Sequence, residues 1–133
     1  MKTKINILFL FFLAILNVSC DPIHKIDFVN NADSNVKIKI TLNPKNKNYD
    51  LDRIANGDTI IFNLKQKDTA NLFFGIGTWS DEEINELINS IKNLEIDTKE
   101  IKTLYKTKKS ITNILSENRE GFWWKTHIKI EIK

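Results

Sequence analysis

The chain has one cysteine, two histidines and no apolar run long enough to cross a bilayer. Each shortage removes a class of function. A single cysteine leaves no internal disulfide and no paired-thiol metal or redox motif. The histidines, His24 and His127, lie far apart in the sequence, without the close spacing that histidine-built metal sites use. Neither stands beside a serine in a recognisable nucleophile motif. Gly75 and Gly77 precede a helix-like stretch, but no lysine follows them as a phosphate loop requires. Asp81, Glu82 and Glu83 would repel an anion at that point. Asp50 and Asp52 lack the glycine and the closing glutamate of a calcium loop. No catalytic residue, cofactor or metal site is expected, and the chain reads as a non-enzyme.

What is present begins at the N-terminus. Lys2 and Lys4 precede an apolar core at Phe9 to Leu16, and small and polar residues follow, ending at Cys20. A bilayer span needs about 20 apolar residues, so this core is too short to be one. The order of positive charge, apolar core and small residues is that of a secretory signal. Val18-Ser19-Cys20 resembles the end of a lipobox, the motif of bacterial lipoprotein signals. The usual leucine three places before the cysteine is replaced by Asn17, with Leu16 one place further out. The resemblance implies cleavage before Cys20 and acyl chains, palmitate among them, on the new N-terminal residue. The expected organisation is a signal peptide at 1–19, a lipidated tether at 20–23 and one domain at 24–133. The implied location is the bacterial cell envelope, with the membrane held through lipid on Cys20. One acyl chain holds a protein only marginally, and two or more hold it stably.

Removing 19 of the 133 residues leaves 114, a length suited to one domain. It also removes Lys2 and Lys4 from 20 basic residues, so 18 oppose 17 acidic ones. A near-neutral body with interspersed lysine and glutamate gives no reason to expect nucleic acid as a partner. The lysines at 106, 108 and 109 read as a solvated turn, or as a contact for anionic head groups if they lie beside the bilayer.

The rest of the chain reads mainly as strands. His24 to Val29 alternates, with Ile26 and Phe28 on one side, and Val36 to Leu42 alternates with Lys37 and Lys39 facing out. The Asn30 to Asn35 stretch between them favours turns, so the pair is expected to form a β-hairpin. Asn43 to Asp52 reads as a loop, Thr59 to Leu64 as a third strand, and a fourth begins at Asn71 to Phe74. Ser80 followed by Glu83 is a capping box, and Ile84, Leu87, Ile88 and Ile91 share a helical face. Trp79 is placed to staple that helix at its first turn. Leu94 to Asp97 suggests a short strand, and Ile101 to Tyr105 is open between strand and helix. A second helix is expected near Ser110–Asn118. Phe122 to Lys133 closes the chain as a regular strand near a sheet centre. The fold class is α+β, an antiparallel sheet or sandwich of six to seven strands with one or two short helices.

The stretch FFGIGTWSDEEINELINSIKNLEI, followed by HIKIEIK, resembles small lipoproteins of the bacterial envelope. That resemblance implies no activity and transfers no functional residue. On the final strand Trp123, Lys125 and His127 share the wet face and form a candidate partner surface. Both histidines are expected at the surface. Two roles follow. One is a tethered, non-catalytic interaction or structural module, with an envelope protein as partner. The other is a carrier of a small apolar ligand, with an enclosed pocket between sheet and helix lined by residues such as Phe62, Phe73 and Phe74.

Overall fold

A computed structural model describes residues 21–77, 80–121 and 125–133. Among these, eight strands and three helices follow one another along the chain. The order is β1 (Ile23–Asn30), β2 (Val36–Leu42), α1 (Tyr49–Ile54), β3 (Thr59–Leu64), β4 (Thr69–Ile76), α2 (Asp81–Ser90), β5 (Ile91–Asp97), β6 (Lys102–Tyr105), α3 (Lys108–Glu117), β7 (Arg119–Glu120) and β8 (His127–Ile132). The fold is α+β, with strands predominating.

The strands form two four-stranded sheets, one in the order β4-β1-β8-β7 and the other β3-β2-β5-β6. The second sheet is antiparallel throughout. The first is antiparallel except where β1 meets β8, the two running parallel with Ile26 opposite Ile128 and Phe28 opposite Ile130. Alternation along the strands directs one face of each sheet inward. Ile26, Phe28, Leu72, Ile128 and Ile130 meet Ile38, Ile40, Ile60, Leu94 and Ile96 in one buried core. Phe28 and Phe62 touch across the two sheets with ring centroids 6.1 Å apart.

The expected β1–β2 hairpin does not form. The two strands belong to different sheets, and residues 31–35 carry the chain from one to the other. Alternation shows that each strand has one covered face, but not which neighbour it pairs with. Asn30 secures this crossover. It is fully buried, and its side-chain amide donates to the carbonyls of Ser34 (2.8 Å) and Lys65 (2.9 Å). Its Oδ1 accepts from the backbone N–H of Ala32 at 3.0 Å. One side chain thereby joins the β1–β2 and β3–β4 connections.

The expected loop at 43–52 contains the start of α1. Asn48 caps it by accepting from the Leu51 N–H at 3.1 Å, and Leu51 is fully buried. A six-residue helix with one anchoring leucine leaves no periodic pattern for a sequence to display. The capping box on α2 is present. Ser80 Oγ accepts from the Glu83 N–H, and the Glu83 carboxylate accepts from the Ser80 N–H at 2.7 Å. Trp79, its expected staple, lies outside the described residues. The α3 helix has its own box between Thr107 and Ser110. Residues 101–105, left open between strand and helix, supply β6. The last strand starts at His127 rather than Phe122. Lys125 has φ 42°, a left-handed conformation that an extended strand cannot contain. Phe122, Trp123 and Trp124 lie outside the described residues.

Replacing Asn30 by alanine removes the hydrogen bonds to the Ser34 and Lys65 carbonyls and from the Ala32 N–H. At about 1 kcal/mol net for each hydrogen bond lost, Asn30→Ala should lose about 2–3 kcal/mol of stability in urea unfolding. An unchanged midpoint would show that the crossover does not depend on this side chain.

Candidate functional site

Three features of the surface carry charge or shape beyond what the core requires. The first lies on the outward face of the β4-β1-β8-β7 sheet. Residues 25, 27 and 29 of β1 point away from the core, and Asp27 occupies the middle of that face. It is nonetheless buried, at 8% exposure. Its Oδ2 accepts from Lys25 Nζ at 2.8 Å and from His127 Nε2 at 2.6 Å, and its Oδ1 accepts from Asn71 Nδ2 at 2.7 Å. Burial pushes the Asp27 carboxyl up, but the hydrogen bonds from Lys25 and Asn71 and the fields of His127 and Lys25 outweigh it. The pKa therefore falls below the ordinary 3.8. The second imidazole nitrogen, Nδ1, lies 4.0 Å from Glu120 Oε2.

Of the expected partner surface, His127 is half-buried and engaged with Asp27, and Lys125 is exposed beside it in the chain. The Lys125 carbonyl accepts from Arg119 Nε at 3.1 Å. Trp123 lies outside the described residues. His24, expected at the surface, is buried at 3% exposure. The correction follows from phase: β1 starts at Ile23, so His24 shares the inward face of Ile26 and Phe28. Its Nε2–H donates to the Gly77 carbonyl at 2.7 Å, and its ring lies against Phe74. A Cβ at Gly75 would stand 2.8 Å from His24 Nδ1, so glycine there permits the close approach. The two histidines thus face opposite sides of one sheet.

The second feature is a half-open groove of about 790 Å³. Ile96, Ile114, Ile130 and Ile132 give it an apolar floor, and Thr103 and Tyr105 of β6 line one side. Asn113 and Glu117 of α3, the turn at 31–34 and Lys133 give it a polar rim of mixed charge. Among the described residues, strand β6 ends its sheet and pairs with β5 alone. Ile101, just before it, is 64% exposed on the groove margin. The phenylalanines expected to line an enclosed pocket do not meet around one. Phe74 is in the core, Phe62 is half-buried against it, and Phe73 is exposed on the outward face.

The third feature is the corner where β1 begins. The Gly77 N–H donates to the Pro22 carbonyl at 2.9 Å, so the residue that leads into β1 is fixed to the end of β4. Ile23 pairs with Ile76 there. Among the described residues, no helix is long and apolar enough to cross a membrane, and no cluster of three metal-ligating side chains occurs.

Comparison with protein-family models, with curated proteins and with solved structures gave no match.

The lowered Asp27 pKa sets a pH dependence. A carboxyl whose folded pKa is depressed contributes stability above its unfolded pKa, and that contribution is lost as pH falls through the folded value. The stability difference between the wild type and Asp27→Asn should therefore be full at neutral pH and shrink on acidification below the ordinary range near 3.8. Paired urea titrations across that range measure it. A difference independent of pH would remove the ionised Asp27 from the account.

Proposed function

We propose that this chain is a lipid-anchored module of the bacterial envelope that binds a protein partner and performs no chemistry of its own. The anchor rests on the lysine-flanked apolar segment and its lipobox-like end at Cys20. The binding role rests on one observation above others, the parallel register of β1 with β8. Because the two strands run together, their C-terminal ends lie at the same end of the sandwich. That end carries the turn at 31–34 and Lys133, both part of the groove. The tether enters at the other end, at Ile23. Seven residue steps along β1 separate the two, about 23 Å at the usual strand rise. A groove so placed faces away from the surface that holds the lipid.

Its shape favours an extended protein segment. The apolar floor offers burial, the rim offers mixed polar contacts, and β6 presents a strand edge to which a further strand can add. An enclosed apolar cavity, which a small-ligand carrier uses, would need walls that Phe62, Phe73 and Phe74 do not supply.

Two measurements test the proposal. Cys20→Ala should move the protein from the detergent phase to the aqueous phase on phase separation, and unchanged partition would remove the anchor. A photo-crosslinking residue placed at Thr103 or Asn113 in cells should trap one discrete partner, and Ile101→Glu should abolish the adduct. The same probe at Ile61, outward on β3, should trap none. Equal adducts from Ile61 and from the groove would remove the groove from the binding role.

A further inference from the structure

Three large apolar side chains stand exposed together at the corner where the tether meets the fold. Ile23 is 54% exposed, Phe73 52% and Ile76 69%. Ile23 and Ile76 are register partners, and Phe73 lies opposite Lys25, the next outward residue of β1 after Ile23. A bulge between His24 and Lys25 brings Phe73 and Ile76 to the same outward face. The Lys25 ammonium turns away from this corner to Asp27. Ile23, Phe73 and Ile76 therefore share the outward face at the end of β1 and β4.

The chain immediately before the corner decides what covers it. Three residue steps join Cys20 to Ile23, and a fully extended chain spans at most about 3.6 Å per step, or about 11 Å in all. Pro22 is fixed by its carbonyl to the Gly77 N–H, so the approach to Ile23 is held against the end of β4. Resting on the reading that Cys20 is lipidated, any acyl chain on its sulfur starts within about 11 Å of Ile23, the register partner of Ile76. A second copy of the chain is the weaker occupant. Stable dimers bury about 800 Å² on each partner, and three half-exposed side chains offer far less.

We infer that this corner is a membrane-seating surface, with Ile23, Phe73 and Ile76 inserted into the lipid interface beside the anchor. Seating fixes the body's orientation, with the first sheet's β1–β4 corner down and the groove away from the bilayer. It also adds apolar burial to the acyl chains, as interfacial segments do.

The test uses the full chain, processed in a bacterial host and reconstituted into vesicles of phosphatidylethanolamine and phosphatidylglycerol. Acylation of Cys20 leaves an introduced cysteine as the reactive thiol. An environment-sensitive fluorophore is attached in Phe73→Cys, in Ile76→Cys, and in the controls Ile61→Cys and Lys133→Cys. Labels at 73 and 76 should shift to the blue on reconstitution and lose several-fold in quenching by iodide, while those at 61 and 133 should do neither. Protein that floats with the vesicles while all four labels quench alike would overturn the seating surface and leave the anchor standing. Protein that does not float with vesicles overturns the anchor and, with it, the seating. Shielding that rises with protein density in the vesicle, at constant lipid, would assign the corner to a second copy and overturn the proposal.

Discussion

The parallel pairing of β1 with β8 is the constraint on which the rest of the architecture turns. It joins the first strand of the body to the last, with Ile26 beside Ile128 and Phe28 beside Ile130. Parallel neighbours cannot be linked by a tight turn and need a crossover. Here the crossover is the remainder of the protein. Between the two strands the chain leaves the first sheet, returns to it as β4, leaves again through α2 to β5 and β6, and comes back through α3 to β7. The helices thus link the sheets, and Leu87, Ile88, Ile111 and Leu115 bury their inner faces against the common core.

That closure also separates two kinds of surface. At the end where β1 starts, Ile23, Phe73 and Ile76 stand exposed, and the backbone is fixed by hydrogen bonds among Pro22, His24 and Gly77. At the end where β1 and β8 finish, the turns are polar and Asn30 holds two of them together. Burying an asparagine is favourable only when its amide is satisfied. Asn30 meets that condition with partners from two connections, which fixes their relative position. The groove wall formed by 31–34 inherits its shape from this clamp.

Much of the strand pattern was legible in the sequence, and the reasons are local. Val36 to Leu42 and Thr59 to Leu64 match β2 and β3 residue for residue, the first through strict alternation and the second as a short apolar, β-branched run bounded by turn residues. The capping box at Ser80 and Glu83 was legible for the same reason, since its chemistry is complete within four residues. What depended on pairing was not legible. The β1–β2 hairpin was a reasonable expectation from spacing, yet the five residues between the strands also suffice to cross a sandwich. The two-residue β7 has no pattern of its own and exists because β8 offers it an edge. The inward turn of His24 was available from its even spacing with Ile26 and Phe28, a signal overridden by its proximity to the tether. The groove had no sequence signature. Its floor comes from β5, α3 and β8, which are far apart in the chain.

The Asp27 cluster shows how a polar group on a sheet's outer face specifies the pairing of that sheet. Asp27 receives Asn71 from β4 on one side and His127 from β8 on the other, with Lys25 from its own strand. A carboxylate at 8% exposure is stable only with such partners, because removing charge from water is costly. A slip of β8 by two residues would preserve the inward isoleucines, since Ile128, Ile130 and Ile132 are identical at that spacing. The core alone therefore cannot distinguish the native register from its neighbour. The same slip would carry His127 away from Asp27 and break the one contact of the three that comes from β8. The repeated isoleucines make β8 a good strand, and the aspartate beside it selects the register in which the parallel pair, and the two ends it defines, come into place.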